Sequence, residues 1–411
     1  MKTGKLAGVA ALTLLGCIVF GGNPKAGEEK QKPAVAPEAR ELAVAHNKFG
    51  VDLFRKLHKN GENTFISPTS IAVCVQMVRQ GAGGDTRAEM DKAMYLDGID
   101  VPKSNKALLK ELNSRQDVKL KIANSVWADP ARVSIGQEYA DEVVESFDSE
   151  ARVADFGDPK TLDAINGWIS DRTEALIPRM LDEVSDTTVM FLINAIYFKG
   201  AWTDKFDKKD TKEGDWHNGD GSTKKIQLMM RSDRIAYGET DGHQLARLPY
   251  GADEQSSMLI VLPKDTATLD TLVQKLTPED VTKWGRLARE RQGVLKLPRF
   301  EMKYKETLND VLKEAGIKTA FELGKADFTR MGESSMGPIF LSRVLHEARV
   351  IVNEEGTEAA AATIADMRAG GMPPKPFEMT CDRPFLFFIT DDATGAVLFM
   401  GTVYQPEDPS R

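Results

Sequence analysis

The segment between residues 354 and 376 has a sequence that fits two incompatible structures. It reads EEGTEAAAATIADMRAGGMPPKP, so a threonine that can cap a helix precedes four consecutive alanines, and two glycines then end the helical pattern. The same residues also alternate. From Thr357 to Ala369 every odd position holds a small or apolar residue, and all three charges occupy even positions: Glu358, Asp366 and Arg368. Such alternation is typical of a strand buried on one face, so the pattern alone allows either a surface helix or a strand.

The composition indicates a folded protein with a large core. Of 411 residues, 41% are apolar and 28% are charged, as expected for a soluble globular chain. The formal net charge is −8 and no long basic run occurs, so nucleic acid is not expected as a partner. The five histidines and three cysteines are scattered, and we therefore expect no metal site.

The N-terminal residues predict export. Lys2 and Lys5 precede an apolar run to residue 20, so we interpret residues 1–22 as a signal peptide. Leu14-Leu15-Gly16-Cys17 resembles a bacterial lipobox, which predicts a lipidated Cys17. An ordinary signal peptide cut elsewhere, or an uncleaved anchor, is the alternative. The expected location is extracytoplasmic, either secreted to the extracellular space or lipid-anchored to a bacterial membrane.

The rest of the chain is predicted to be one domain. Residues 23–39 are rich in proline and charge and predict a flexible tether, and residues 40–408 follow without another linker. Helices and strands mix without a βαβ repeat, which favours an α+β domain with mixed or antiparallel sheets. Two cysteines remain in this domain, Cys74 and Cys381; we expect free buried thiols, although spacing alone leaves pairing open.

The pattern of apolar residues predicts individual elements. Helices are predicted after Ser67-Pro68 and over Val44–Lys59, Lys160–Ile177, Leu269–Leu276 and Tyr304–Ala315. Strands are predicted over Leu120–Trp127, Thr188–Phe198, Ser257–Leu262, Val294–Pro298, Arg349–Val352, Phe385–Thr390 and Ala396–Val403.

No catalytic constellation is visible in the sequence. The chain has neither a Gly-x-Ser-x-Gly elbow nor a His-Glu-x-x-His pair. Ser67 and Ser70 lack a lysine three residues later and fit helix caps better than nucleophiles. We therefore do not expect an enzyme.

Several ordered motifs resemble the serpin family over about residues 40 to 408. The motifs are Asn63–Ile71, Asn194–Trp202 with Phe206, Ala326–Phe328, Asp382–Phe387 and Phe399–Gly401. The most specific is Val352–Ala362 (VNEEGTEAAAA), which is similar to the hinge of an inhibitory serpin. The resemblance implies a serpin fold: a large central mixed sheet, two further sheets, about eight or nine helices and an exposed reactive-centre loop.

The resemblance also implies a mechanism and explains the double pattern of the opening segment. In serpins this segment is the reactive-centre loop, which a protease cleaves and which then inserts into the central sheet and traps the acyl-enzyme. The expected function is suicide inhibition of a serine protease, with cysteine proteases as secondary targets, by a monomer without a cofactor. A non-inhibitory serpin with a binding or structural role is the alternative. The implied hinge consists of Glu354, Gly356, Thr357, Glu358, Ala359, Ala360, Ala361 and Ala362.

The family's spacing from the hinge implies a reactive bond. Seventeen residues counted from Glu354 lead to the bond between Gly370 and Gly371. Glycine suits proteases that accept small residues, such as elastase-like or subtilisin-like enzymes. Arg368, which suits trypsin-like enzymes, and Met372 are the alternative positions.

The resemblance finally implies a set of residues that control opening of the central sheet. A buried polar cluster is expected from Ser67, Ser70, Asn194 and His346, where hydrogen bonds can be exchanged when strands part. Trp202 and Glu354 are expected where insertion begins, and Gly356 is expected to allow a backbone reversal.

Overall fold

The computed structural model describes residues 35–115, 118–184, 188–335, 337–357 and 375–409, with Thr357 described by its backbone alone. Nine α-helices lie within these ranges: α1 (Pro37–Leu57), α2 (Pro68–Gly81), α3 (Gly84–Ala93), α4 (Val101–Asn113), α5 (Gln137–Phe147), α6 (Lys160–Arg172), α7 (Leu269–Lys275), α8 (Pro278–Leu287) and α9 (Asn309–Glu314). None of these helices is both long and apolar enough to cross a membrane.

Seventeen strands occur in the same ranges. They are β1 (Thr64–Ile66), β2 (Val118–Ala128), β3 (Val133–Ile135), β4 (Glu150–Val153), β5 (Met190–Ala201), β6 (Lys212–His217), β7 (Thr223–Glu239), β8 (His243–Tyr250), β9 (Ser256–Pro263), β10 (Arg289–Pro298), β11 (Phe300–Thr307), β12 (Gly332–Ser334), β13 (Arg343–Val352), β14 (Gly356–Thr357), β15 (Phe377–Thr380), β16 (Phe385–Asp391) and β17 (Ala396–Val403).

The first helix begins earlier than predicted. A proline occupies its first turn and Glu38 follows, both of which favour a helix start, so α1 runs from Pro37 rather than from Val44. Ala39 and Leu42 are fully buried in the core. The predicted tether, residues 23–39, is therefore wrong for its last three residues, which are helical.

The second helix lies in the middle of the core. Ser67 caps it, because the Ser67 hydroxyl accepts a hydrogen bond from the Ser70 amide at 3.2 Å, and Pro68 occupies the first helical position. Every residue of α2 is buried. A largely apolar helix is expected at such a position, and its buried Gln76 and Arg79 have hydrogen-bond partners in Asn105 and Asp91.

A six-stranded mixed sheet contains the predicted functional region. The strand order is β11-β13-β5-β2-β4, and the short strand β14 also pairs with β5. β13 runs parallel to β5, and β2 runs antiparallel to it. In β5 and β13 the even-numbered residues face the main core with α2, whereas odd-numbered residues such as Ile193 and Leu345 pack in a second cluster with α6.

The remaining strands form two further sheets. A nine-stranded sheet has the order β1-β17-β16-β9-β8-β7-β10-β15, with β6 added on β7, and β3 and β12 form a two-stranded sheet. The predicted fold class, with a large mixed sheet, two more sheets and eight or nine helices, is confirmed. One predicted helix is wrong in part: residues 304–307 of Tyr304–Ala315 belong to β11, and only Asn309–Glu314 is helical.

Candidate functional site

The candidate site is the seam between β5 and β13 in the six-stranded sheet. The two strands pair directly in parallel over seven residue pairs, from Arg343 with Phe191 to Arg349 with Tyr197. A strand that enters the sheet here has to break this ladder. The side chains that bridge β5 and β13 are therefore the candidate site residues.

A buried polar cluster crosses the seam on the core side. His346 lies beside Asn194 in the parallel pairing, and His346 Nδ1 donates a hydrogen bond to Asn194 Oδ1. The amide of Asn194 donates in turn to Ser70, with distances of 2.6 Å to the hydroxyl and 3.0 Å to the carbonyl oxygen. Ser67 lies one step further away, where its hydroxyl donates to the Leu398 carbonyl oxygen at 2.6 Å. The structure thus brings all four predicted residues into one connected region.

The cluster contains a residue that the sequence analysis missed. Asn124 of β2 lies opposite Asn194 and accepts a hydrogen bond from the Asn194 side-chain amide. Asn124 and Ser125 are adjacent polar residues inside the apolar strand LKIANSVW, and both are buried. A buried polar residue needs a hydrogen-bond partner, so the polar pair in this strand was a usable signal.

The hydrogen bonds of this cluster are not fully satisfied. A carbonyl oxygen only accepts, so His346 Nδ1 carries the hydrogen and His346 Nε2 is left as a buried acceptor without a partner among the described residues. Asn124 Nδ2 is likewise buried without a partner in that part of the chain. Burial lowers the pKa of His346 to about 3, so the imidazole is neutral at physiological pH. The unpaired acceptor and donor are unfavourable while they stay buried, and a new hydrogen-bonding group that reached them would be stabilised there.

An aromatic pair marks the end of the seam where β14 lies. Trp202 stacks on Tyr250 with ring centroids 4.4 Å apart, and both side chains are buried. The Trp202 indole donates to the Asn353 carbonyl oxygen at 2.9 Å, and the Trp202 amide donates to the Glu355 carbonyl oxygen at 3.1 Å. Trp202 therefore fixes the backbone that leads from β13 into β14.

A tight turn at Gly356 reverses the chain. Asn353 and Gly356 exchange backbone hydrogen bonds of 3.0 and 3.2 Å, and Gly356 has a φ of 123°. A Cβ at Gly356 would lie 2.4 Å from the Gly200 carbonyl oxygen and 2.5 Å from the Trp202 amide nitrogen. Glycine is thus required here for both its conformation and its size.

Two carboxylates hold the turn from different sides. Glu354 is only 4% exposed; its carboxylate accepts a hydrogen bond from the Thr211 hydroxyl at 2.7 Å and lies 3.8 Å from Arg299. Glu355 pairs with Lys205 at 2.8 Å and with Lys208 at 3.2 Å, and these two lysines lower the pKa of its carboxyl group. These contacts position the backbone of β14 beside β5.

The outer face of the seam is covered by the chain that follows α6. The Arg349 guanidinium donates to the Leu176 carbonyl oxygen at 2.6 Å, and Lys305 pairs with Asp182 at 3.1 Å. These bonds connect β13 and β11 to residues 176–182. Side chains that a new strand projects on this face would have to fit beneath that segment.

The chain is similar to serpins in sequence and in structure. A family model described as "Serpin (serine protease inhibitor)" matches residues 44–406. The chain belongs to the serpin family. Serpin B6 of Macaca fascicularis is 34% identical over 381 residues, which cover 89% of this chain and 99% of that relative. The leukocyte elastase inhibitor of Bos taurus is 33% identical over 383 residues, with coverage of 89% and 100%. The crystal structure of the thermophilic serpin Tengpin in the native state has a TM-score of 0.82 at 28% identity, covering 89% of this chain and 94% of that one.

Several predicted serpin features lie outside the described residues. These are the lipidation site Cys17, the hinge residues Glu358, Ala359, Ala360, Ala361 and Ala362, and the reactive-bond residues Arg368, Gly370, Gly371 and Met372. Of the predicted hinge, the structure describes Glu354, Gly356 and the backbone of Thr357. Cys74 and Cys381 are both free and buried, and burial raises the pKa of each thiol.

Proposed function

We propose that this serpin inhibits serine proteases by a suicide mechanism, in which the cleaved reactive loop inserts between β5 and β13 and traps the acyl-enzyme. The strongest support is the backbone pairing of Gly356 with Ala201 and of Thr357 with Gly200. The loop therefore starts as a strand antiparallel to β5, just beyond the point where the pairing of β5 with β13 ends. After cleavage, the same strand has only to extend.

The register of β14 gives the proposed path of the inserted arm. Continued along β5, it would bring residues 358–367 opposite Lys199 to Met190 in turn. Thr363 would then face Asn194 from the core side, within the polar cluster. Because a hydroxyl group both donates and accepts, Thr363 could replace the hydrogen bond between Asn194 and His346 that insertion breaks. The other core-facing residues of the arm are small or slender, which suits insertion into a close-packed interior.

Insertion would exchange one hydrogen-bonded ladder for two. The closed seam has seven paired positions, whereas an inserted arm of about a dozen residues would bond to both neighbours. At about 0.5–1.5 kcal/mol for each additional bond, the gain is roughly 10 kcal/mol. That is comparable with the whole net stability of a typical domain. We therefore propose that the intact fold is kinetically trapped at a higher free energy than the cleaved and inserted form.

The proposed partner is a protease that forms an acyl-enzyme with the loop. The name of one relative, leukocyte elastase inhibitor, supports a protease that accepts small residues, and Gly370-Gly371 would suit such an enzyme. Cleavage at Arg368 would instead indicate a trypsin-like target, and cleavage at Met372 a chymotrypsin-like or subtilisin-like one. Cysteine proteases are proposed as secondary targets, since they also form acyl-enzymes.

The decisive experiment is a panel of proteases analysed by denaturing gel and mass spectrometry. We expect a covalent complex with at least one serine protease and release of a C-terminal peptide that begins at Gly371. Cleavage of the loop by every protease without any covalent complex would contradict inhibition and favour a non-inhibitory serpin.

We also propose that the protein is exported and lipid-anchored through Cys17. The support is the basic and then apolar N-terminal sequence with Leu14-Leu15-Gly16-Cys17. Metabolic labelling with a fatty acid should mark the wild-type protein but not Cys17→Ala. Equal labelling of both proteins would contradict the proposal.

A further inference from the structure

Glu347 has a buried carboxylate oxygen, Oε2, without a hydrogen-bond partner in the described part of the chain. The residue lies at an odd position of β13, so its half-buried side chain projects toward the face of the sheet that α6 covers. Burial raises the pKa of its carboxyl group, although Lys305 and Arg349 act in the opposite direction. A charged carboxylate without a full set of partners raises the free energy of the closed seam.

The two cations beside Glu347 are bound to other carboxylates. Lys305 of β11 is the direct cross-strand partner of Glu347, so the two side chains lie on the same face. The Lys305 ammonium nevertheless pairs with Asp182, at 3.1 Å, in the chain that follows α6. Arg349, two residues further along β13, pairs with Glu301 at 2.7 Å.

The segment that carries Asp182 is attached to α6 and, through α6, to β2. The Asn166 side chain of α6 accepts hydrogen bonds from the backbone amides of residues 180 and 181, both at 2.9 Å. Trp168 of α6 packs against Trp127 of β2, with ring centroids 6.0 Å apart. We therefore expect Asp182 to stay with β2 and β5 when β13 moves away from them.

A strand inserted at the seam would separate Lys305 from Asp182 but not from Glu347. β11 and β13 pair over their whole common length, so Lys305 and Glu347 move together. The new strand adds one strand spacing, about 4.8 Å, between β5 and β13, which is enough to break the ion pair with Asp182. Asp182 is 80% exposed, so water can replace the lysine there at little cost. Glu347 is then the carboxylate directly opposite the released ammonium.

We propose that Glu347 binds the Lys305 ammonium in place of Asp182 when the sheet opens, and thereby favours the open sheet over the closed seam. The inference rests on the proposed function and identifies a positioning residue for it. The exchange gives a partner to a carboxylate that lacked one and exposes a carboxylate that is already solvated. All three side chains lie outside the reactive loop, so substituting them leaves the cleaved sequence unchanged.

The substitution Glu347→Gln should change stability and inhibition in opposite directions. It removes the incompletely paired charge from the closed seam, so the urea midpoint of the intact protein should rise by about 0.3 M. It also removes the partner that Lys305 gains on opening. The ratio of cleaved to covalently trapped serpin should therefore rise about threefold with subtilisin or trypsin, whichever forms a complex. Glu333→Gln, at an exposed position of β12, is the matched control and should change neither quantity.

The substitution Asp182→Asn tests the exchange from the other side. It releases Lys305 in the intact protein, so Lys305 can pair with Glu347 before the sheet opens. In this background Glu347→Gln should lower the urea midpoint, because it then breaks an existing ion pair; a rise in both backgrounds would overturn the proposal. A crystal structure of the loop-cleaved wild type gives a direct readout. It should show Lys305 Nζ within about 4 Å of the Glu347 carboxylate, and Lys305 still bound to Asp182 in an opened sheet would overturn the proposal.

Measurements on the wild type separate failure of this inference from failure of the proposed function. If the wild type forms a covalent complex but Glu347→Gln matches Glu333→Gln in both measurements, the role of Glu347 is wrong and the inhibitory function stands. The same conclusion follows if Glu347→Gln is more stable but traps protease as well as the wild type does. If the wild type is cleaved without any covalent complex, and cleavage leaves its thermal midpoint unchanged, both proposals fall.

Discussion

Gly356 shows how one residue without a side chain determines where β14 begins. Its φ of 123° disfavours other residues, and a Cβ would clash with the β5 backbone. We expect Gly356→Ala to lower the free energy of unfolding of the intact protein by about 3 kcal/mol and to shift the protease reaction toward simple cleavage. Urea unfolding and the ratio of trapped to cleaved protein measure the two effects.

The control for this substitution separates the cost of a positive φ from the cost of a steric clash with β5. Gly61 also has a positive φ, of 77°, but a Cβ there would meet no atom within 4 Å. Gly61→Ala should therefore cost only about 1 kcal/mol and leave trapping unchanged. Equal effects at the two glycines would show that close contact with β5 is unimportant.

His346 makes stability depend on pH. Burial lowers its pKa to about 3, against about 6.5 in an unfolded chain, so between these values the unfolded state binds a proton that the folded state does not. The free energy of unfolding should consequently fall as the pH falls through this window. At pH 5, His346 should lower it by about 2 kcal/mol relative to neutral pH. His46, whose pKa burial lowers to about 4, acts in the same direction.

Unfolding in urea at pH 7.5 and pH 5 tests this dependence. His346→Gln should remove about 2 kcal/mol of the difference between the two pH values. Ser70→Ala removes a hydrogen-bonding hydroxyl from the same cluster but no titrating group, so it should lower stability equally at both. The same pH difference in wild type and His346→Gln would exclude His346 as a source.

At the level of elements, the sequence predicted strands well where long apolar runs are buried on both faces. β5 and β17 are such runs, and both were placed within a few residues. The predicted helix at Tyr304–Ala315 was half wrong, because residues 304–307 alternate along an edge strand that pairs with β13 over its whole length. Local spacing does not report that pairing. The start of α1 was missed for the opposite reason: proline and charge suggested a tether, although proline is also favoured in a first helical turn.

The sequence predicted most residues of the candidate site but not the hydrogen bonds that connect them. The family resemblance supplied Ser67, Ser70, Asn194 and His346, whereas the hydrogen bond between Asn194 and Asn124 depends on the register of β2 against β5. Register between distant strands is set by the whole sheet rather than by either strand. The pairing of β14 with Gly200 and Ala201 belongs to the same class of information.

The first core-facing position of the arm gives a prediction for this element. Thr357 pairs with Gly200, an even position of β5. In the proposed insertion, a long side chain at residue 357 would therefore have to enter the core between two strands. Thr357→Arg should convert the inhibitor into a substrate, with at least a tenfold loss of covalent complex on a denaturing gel. Thr357→Ala, which stays small, should still trap protease. Normal trapping by Thr357→Arg would contradict insertion in this register.

At the scale of the whole molecule, the closed seam raises the question of whether the intact or the loop-cleaved protein is more stable. Intact, β5 and β13 share one parallel ladder and a polar cluster in which His346 Nε2 and Asn124 Nδ2 lack partners among the described residues. In the proposed inserted form, the cleaved arm would add a second ladder and bring the Thr363 hydroxyl to this cluster. We therefore expect cleavage within residues 368–372 to raise the thermal midpoint by roughly 10 °C or more, because about 10 kcal/mol is spread over the unfolding entropy of a large domain.

Differential scanning calorimetry of intact and loop-cleaved protein measures this shift. Thr357→Arg, cleaved at the same bond, provides the matched control, since the bond is cut but the arm is blocked at its first core-facing position. That variant should show little or no rise. A similar rise in both proteins would mean that cutting the loop stabilises the fold without insertion between β5 and β13, and a midpoint at or below that of the intact wild type would mean that the intact fold is already the more stable one.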